Sequence, residues 1–185
     1  MEWKQIVLSL LMGLGLSACC GLRVFVPLLL AGIAHRMGWL SVNDQFMWLS
    51  NYTSIAGFGI ASVVEILAYK IPFIDHLLDT ITTPASIVAG TILSASTLFN
   101  IDPMMQWTLA LLVGGGSAGL LQTATTLLRG TSTATTGGTA NPFFAMVEST
   151  IAIVASIISI ILPLIAGIIF LVVCFFVFRR IRRKR

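Results

Sequence analysis

The chain has 185 residues, of which 57% are hydrophobic and only 10% are charged, and its mean hydropathy is +0.98. Soluble domains carry about 25% charged residues, so this composition excludes an ordinary water-soluble protein and indicates a multi-pass protein of the inner (plasma) membrane. Six of the eleven basic residues lie in the last seven positions, directly after an apolar stretch. This arrangement argues against nucleic-acid binding and predicts a cytoplasmic C-terminus.

Residues 5–38 form one apolar block that is too long for a simple crossing. As a continuous helix it would extend about 50 Å, whereas the hydrocarbon core is about 30 Å thick. A break is therefore expected, either at Cys20-Gly21 or at Pro27. Arg23 lies at the first of these points. It is predicted to face the bundle interior or a polar cavity, with an interfacial position as the alternative.

The next apolar segment, residues 52–70, is predicted to be a helix that contains Glu65. Trp39, Trp48 and Tyr52 precede or begin it and fit an aromatic belt at the membrane surface. Glu65 is expected either to pair with Lys70 near the interface or to line a polar pathway.

A short amphipathic segment follows at residues 73–81, with apolar residues on one face and Asp75, His76 and Asp79 on the other. This pattern predicts a separate helix lying in the membrane interface. The two aspartates and the histidine are candidate ligands for a metal ion or another cation, and a solvated polar face is the alternative. Pro84 is expected to begin the next crossing, which continues to about Phe99.

The stretch from Gly114 to Thr150 is rich in glycine and hydroxyl side chains. A helix from Met104 is predicted to end at Arg129, and residues 131–141 to form a polar, unwound segment. Asn141 and Pro142 then favour a helix start, because an amide cap is followed by proline. That helix, 142–162, carries Glu148 as its only charge, and a last helix from Pro163 reaches Phe178.

These segments predict an all-α bundle of about six transmembrane helices, some of them broken or re-entrant, in one domain over residues 1–178. Residues 179–185 form a basic cytoplasmic tail. If residues 5–38 form a hairpin, the count becomes seven. Similar short motifs recur in the same order in residues 1–100 and 101–178, which favours two inverted repeats of three helices, as in many transporters.

Two groups of residues give the chain a resemblance to a known family. Lys70-Ile-Pro is followed by Asp75 and Asp79, and Thr136-Gly137-Gly138 is followed by Asn141-Pro142 and Glu148. With Gly21-Leu22-Arg23 and Thr83-Pro84-Ala85, they resemble the bacterial membrane family called domain of unknown function 4126. Members often carry His and Lys in the helix before the glycine loop, where this chain has Gln122 and Thr125. The resemblance implies no activity, but it implies that Arg23, Glu65, Asp75, Asp79, Asn141 and Glu148 belong to one shared pattern.

Acids inside apolar helices point to an ion or substrate pathway. The chain is therefore expected to be a small transporter or channel for an ion or small solute, without a cofactor. The predicted pathway residues are Arg23, Glu65, Gln122, Arg129, Thr136, Gly137, Gly138, Asn141 and Glu148. A lipid-binding or lipid-translocating protein is the alternative, and a metal-dependent intramembrane enzyme is disfavoured because no catalytic motif is present. Membrane lipids are expected partners, and a homodimer or other homo-oligomer is left open.

Overall fold

The described part of the chain consists of helices joined by short connections. The computed structural model describes residues 3–71 and 74–182, without the side chains of residues 3–6, 75–76, 173–174, 176–178 and 180–182. The helices are α1 (Trp3–Cys20), α2 (Phe25–Arg36), α3 (Tyr52–Ala68), α4 (Ile74–Thr97), α5 (Pro103–Leu109), α6 (Gly116–Thr136), α7 (Asn141–Ile161) and α8 (Pro163–Arg182). A 3₁₀ helix (Asp44–Ser50) precedes α3, and a π-helical segment (Ala110–Gly115) joins α5 to α6. The described residues contain no strand, which confirms the all-α prediction.

Three helices are long and apolar enough to cross a membrane: Leu77–Thr97, Pro103–Thr136 and Asn141–Ile161. The 3₁₀ helix and α3 meet the same criterion together and are bent by 59° at their junction, the geometry of a broken span or a re-entrant loop. The described residues thus provide three such helices, or four with the bent pair. This result is consistent with a membrane protein, and the count of six crossings stays a prediction.

The long N-terminal block breaks between α1 and α2, at one of the two predicted points. α1 ends at Cys20, and α2 begins at Phe25. A side chain at Gly21 would place its Cβ 2.3 Å from the carbonyl oxygen of Ala118. Glycine is therefore required at this position for the helix break to pack directly against the backbone of α6. Pro27 lies in the first turn of α2, where its missing N–H costs no helical hydrogen bond.

A single helix, α4, occupies the region where two helices were expected. The predicted interfacial helix at residues 73–81 and the predicted helix start at Pro84 are therefore wrong. Pro84 lies inside α4, and prolines are tolerated within packed membrane helices when neighbouring groups satisfy the freed backbone. The continuous helix turns Asp79 into the bundle, where it is 4% exposed.

The hydroxyl-rich run after Arg129 is helical, not unwound as predicted. α6 continues to Thr136, because the threonine hydroxyls in these turns donate to backbone carbonyls three or four residues earlier and thus leave the helix intact. Thr133 Oγ1, for example, donates to the carbonyl of Arg129 at 3.0 Å. The helix stops at Gly137, whose φ of 63° is left-handed, and Gly138 follows with φ 84°.

Close backbone contact between α4 and the π-helical segment forms the centre of the packing. A Cβ at Gly114 would lie 2.4 Å from the carbonyl oxygen of Gly90, and a Cβ at Gly90 would lie 2.7 Å from that of Gly114. Ser17 of α1 donates to the Gly90 carbonyl at 2.7 Å. Small residues thus let three segments approach at backbone distance, as is common in membrane bundles.

Candidate functional site: a buried charge cluster

Five ionisable side chains meet inside the bundle, and we call them the charge cluster. Arg23 comes from the α1–α2 break, Glu65 from α3, Asp79 from α4, Arg129 from α6 and Glu148 from α7. Each of these residues is at most 7% exposed. Four of them belong to the predicted pathway set, and Arg23 and Glu148 are 125 positions apart along the chain. The bundle therefore brings together residues that lie far apart along the chain.

Arg129 connects α4 to α7. Its Nε donates to Asp79 Oδ2 at 3.3 Å, and its Nη2 donates to Asp79 Oδ1, so the guanidinium binds this carboxylate through two parallel hydrogen bonds. Its Nη1 donates to Glu148 Oε2. Arg129 reaches both partners because it lies on the buried face of α6, which Gln122, Thr125 and Ser132 share at helical spacing.

Arg23 fastens the α1–α2 break to α7. Its Nη1 donates to Glu148 Oε2 at 3.2 Å, its Nε to Ser149 Oγ at 2.9 Å and its Nη2 to the carbonyl of Ala145 at 2.8 Å. The Arg23 side chain is fully buried, so these contacts replace its hydration. One carboxylate oxygen, Glu148 Oε2, thus accepts from both arginines.

Glu65 caps the N-terminus of α2 from the neighbouring helix α3. Its Oε1 accepts from the amide of Val24 at 2.8 Å, and its Oε2 accepts from the amide of Phe25 at 3.1 Å. Val24 itself has no side-chain cap, so Glu65 satisfies amides that the first turn leaves free. The negative charge also meets the positive end of the helix dipole. Glu65 therefore fixes the backbone next to Arg23 and does not form the alternative pair with Lys70.

Tyr69 contacts both arginines through its ring, and it was not among the residues predicted from the sequence. The Cζ atoms of Arg23 and Arg129 lie 4.3 Å and 4.6 Å from the centroid of its ring. Its hydroxyl donates to Asp79 Oδ1 at 3.0 Å. The spacing in the sequence could have indicated Tyr69, because it follows Glu65 by four residues and therefore lies on the same helical face.

Two hydroxyl side chains that were also missed complete the polar contacts. Thr82 Oγ1 lies 2.9 Å from the Tyr69 hydroxyl and accepts from Gln122 Nε2 at 3.0 Å, which places the predicted Gln122 beside the cluster. Ser149 contacts Arg23, as described above. Thr82 follows Asp79 by three residues, a spacing that places both on one face. Ser149 directly follows Glu148, and no pattern in the sequence indicated that it belongs to the site.

The other predicted pathway residues lie at the turn between α6 and α7. Thr136 ends α6, Gly137 and Gly138 form the turn, and Asn141 Nδ2 donates to Thr133 Oγ1 at 2.9 Å. Asn141 shares the buried face of α7 with Glu148, seven residues later. Seven residues of helix correspond to about 10 Å. The turn is thus adjacent to the charge cluster along the helices and is not part of it.

The proposed cation site at residues 75–79 is only partly visible. The side chains of Asp75 and His76 lie outside the described part of the chain. The Asp79 carboxylate is bound by Arg129 and Tyr69, and a guanidinium at this position opposes the binding of a second cation. Among the described residues there is no group of three or more His, Cys, Asp or Glu side chains that is arranged to hold a metal ion.

Comparison with known proteins gives one match. The family described as domain of unknown function (DUF4126) matches residues 10–183, which is nearly the whole chain. The chain belongs to this family. The match confirms the resemblance found in the sequence motifs. No curated protein and no solved structure shows significant similarity to this DUF4126 chain.

The charge cluster of this DUF4126 chain has two guanidinium groups and three carboxylates. Glu65 interacts with the amides of α2, and Asp79 is held by Arg129 and Tyr69. Glu148 accepts hydrogen bonds from both arginines through a single carboxylate oxygen. Its side chain is 9% exposed, which is the largest exposed fraction among the side chains that form the ion pairs of the cluster. A proton on Glu148 would make the five groups electroneutral. The arrangement therefore has the chemistry of a charge-controlled link between helices.

Proposed function

We propose that this protein is a small membrane transporter that moves an ion or small solute and uses the charge cluster as its central switch. The observation that supports this proposal is the convergence of Arg23, Glu65, Asp79, Arg129 and Glu148 in the bundle interior. These residues belong to four helices and one helix break, so a change of charge at the cluster acts on all of these segments together.

The energetics of burial favour a functional role over a purely structural one. Placing a charged residue at the centre of a membrane helix costs about 2.5–3.5 kcal/mol on insertion scales. A buried ion pair seldom stabilises a protein more than well-packed apolar side chains of similar volume. A bundle selected only for stability would therefore have little use for Arg23, Arg129 and Glu148. A helix break beside a charged group is, in contrast, a recurrent feature of transporter sites.

The proposal includes a topology in the inner (plasma) membrane. Six crossings place both termini in the cytoplasm, which agrees with the basic residues at the C-terminus. Lys70 and the α6–α7 turn then lie on the cytoplasmic side. Two inverted repeats of three helices are part of this proposal, and the glycine crossing between α4 and the π-helical segment supplies a close contact between the halves.

Flux through reconstituted protein tests the proposal. Purified wild-type protein in liposomes is assayed with protons, Na⁺, K⁺, chloride and inorganic phosphate as probes. We expect flux of at least one probe, and a loss of at least tenfold in Arg129→Gln. Leu127→Ala is the matched control, because Leu127 lies two residues away on the outer face of α6, 65% exposed. Flux equal to that of protein-free liposomes for every probe would contradict the proposal.

A lipid-binding protein is the second candidate, and an apolar cavity favours it. The cavity has a volume of about 630 Å³ and lies between α1, α6, α7 and α8, with Ala18, Cys19, Val154, Ala155 and Phe170 among its lining residues. Filling it with Ala155→Trp is expected to reduce the amount of lipid that remains bound in native mass spectra. Ala124→Trp, on the exposed side of α6, is the control. Equal lipid retention in both variants would count against this candidate.

A further inference from the structure

Glu148 differs from the other two carboxylates of the charge cluster in having an oxygen that is free to bind a proton. Both oxygens of Glu65 accept amide hydrogens, and both oxygens of Asp79 accept from Arg129. Glu148 Oε2 accepts from Arg23 and Arg129, whereas its Oε1 accepts no hydrogen bond from the described residues. A proton on Oε1 would leave the two acceptor contacts of Oε2 in place.

A polar route leads towards Glu148 from the turn between α6 and α7. Asn141 contacts Thr133 nearer the turn, and Glu148 contacts Arg129 one turn deeper. Ser132 lies between these two contacts on the buried face of α6. Its hydroxyl is buried, the residue being 7% exposed, and has no hydrogen-bond partner among the described residues. An unpaired buried hydroxyl is the kind of group that a bound water molecule satisfies in proteins.

We propose that Glu148 is the carboxylate that binds and releases a proton in this transporter, and that the proton reaches it from the α6–α7 turn past Ser132. This inference rests on the proposed transport function and names the coupling ion. A hydronium ion on the turn side transfers its proton to Glu148 Oε1, where an O–H bond forms and a water molecule is left. Deprotonation returns the proton to water by the reverse step.

Every element packed around Glu148 contributes to its electrostatic environment. Arg23 at the α1–α2 break and Arg129 on α6 place two positive charges against Glu148, and Asp79 on α4, which Arg129 also binds, adds a negative charge nearby. Tyr69, after α3, faces the two arginines through its ring. Because two cations face three carboxylates, uptake of one proton removes the excess negative charge of the group.

Protonation has an unequal effect on the two arginines. Arg129 keeps its bidentate pair with Asp79. Arg23 loses its only ion pair among the described residues and keeps neutral partners, namely Ser149, two backbone carbonyls and the ring of Tyr69. Proton binding at Glu148 therefore weakens the link between the α1–α2 break and α7 and leaves the α4–α6 link intact. The charge on Glu148 thus acts on the contact between the helix break and α7, where Arg23 keeps its hydrogen bonds to Ser149 and to the carbonyl of Ala145.

Infrared difference spectra test whether Glu148 binds the proton. The wild-type protein in nanodiscs is expected to gain a protonated-carboxyl band as the pH is lowered. That band is expected to be absent from Glu148→Gln and retained in Glu65→Gln. Retention of the complete band in Glu148→Gln would overturn the assignment. This measurement requires no cysteine substitution and no transport activity.

Cysteine labelling tests the access route. Ser132→Cys and Ser117→Cys are introduced singly after Cys19, Cys20 and Cys174 have been replaced by alanine, and the protein in nanodiscs is treated with a charged methanethiosulfonate. Both serines are buried on α6, but Ser117 donates to the carbonyl of Gly114 and lies at the glycine crossing. We expect the cysteine at 132 to react at least tenfold faster. Equal rates would overturn the route.

The two proposals fail in distinguishable ways. If the infrared band and the labelling at 132 are found and no probe crosses the membrane, the proton site stands and the transport function fails. If flux occurs while the band survives in Glu148→Gln, transport stands and Glu148 is not the proton site.

Discussion

The carboxylate of Glu65 lies 2.8 Å from the amide of Val24, and this contact makes α3 responsible for the start of α2. An acid in the middle of an apolar helix is therefore the N-terminal cap of another helix. The cap also fixes the backbone next to Arg23, so the shape of the α1–α2 break depends on a residue more than forty positions away.

Replacing Glu65 by glutamine is expected to destabilise the protein by about 1–2 kcal/mol. The glutamine side chain has one acceptor oxygen for the two backbone N–H groups that Glu65 binds, and it brings no negative charge to the helix dipole. Asp102→Asn is the matched control. Asp102 Oδ1 caps α5 at an exposed position, where asparagine caps about as well as aspartate. Thermal unfolding in detergent measures both variants. Equal shifts in Tm would contradict the role assigned to Glu65.

Arg129 and Asp79 are expected to be strongly coupled. Arg129→Gln leaves Asp79 without its ionic partner and leaves Glu148 with Arg23 alone, and it should lower the free energy of unfolding by about 3–5 kcal/mol. Combining it with Asp79→Asn is expected to cost less than the sum of the single changes, since the second substitution removes a charge that the first leaves unpaired. Denaturant unfolding in mixed micelles gives the four values of the cycle.

The control for this cycle is Arg36→Gln with Asp79→Asn. Arg36 lies at the end of α2, where it contacts Ser50 and the ring of Tyr52 and shares no partner with Asp79. The two effects should add to within about 0.3–0.5 kcal/mol. If the effects of Arg129→Gln and Asp79→Asn on the free energy of unfolding also add, the bidentate contact does not couple these two residues.

A polar environment could be predicted for Arg23, Glu65 and Glu148, because a charge inside an apolar segment must find one, but a position at the membrane interface stayed open for Arg23 and Glu65. Their partners could not be predicted, since pairing depends on which helices become neighbours. Asp79 shows the difference. Its local amphipathic pattern favoured a solvated face, and the continuation of α4 through Pro84 turned that face into the bundle.

The prediction of an unwound segment after Arg129 was wrong because it relied on the helix propensities of the individual residues. Glycine and threonine have lower helix propensity than alanine or leucine, and this favoured an unwound segment. In an apolar bundle, however, threonine hydroxyls find acceptors in the preceding turn of the same helix, as Thr133 and Thr136 do. The left-handed conformation at Gly137 then ends the helix several residues later than predicted.

The hydroxyl of Tyr69 is expected to contribute to the cluster separately from its ring. Tyr69→Phe removes the donor to Asp79 and keeps the ring against the two arginines, so we expect a loss of about 1–2 kcal/mol. Tyr69→Leu also removes the ring and is expected to cost more. Tyr52→Phe is the control, because Tyr52 is 74% exposed. Unfolding of Tyr69→Phe at the wild-type temperature would contradict the prediction.

Two glycines that are two residues apart, Gly114 and Gly116, distinguish close packing from helix propensity. A Cβ at Gly114 would lie 2.4 Å from both the Gly90 carbonyl oxygen and Ser94 Cβ, so Gly114→Ala must separate α4 from the π-helical segment. Its expected cost is about 1–3 kcal/mol. A Cβ at Gly116 meets nothing within 4 Å. Gly116→Ala should therefore be neutral or stabilise the helix by up to about 1 kcal/mol.

Thermal unfolding in detergent compares the two alanine variants directly, since each adds one methyl group within the same stretch of helix. A lower Tm is expected for Gly114→Ala, and an unchanged or higher Tm for Gly116→Ala. A decrease of the same size in both would mean that the local backbone, and not the contact with Gly90, requires glycine. In proteoliposomes, Gly116→Ala should retain wild-type flux, because the change leaves the α4 crossing and the charge cluster untouched.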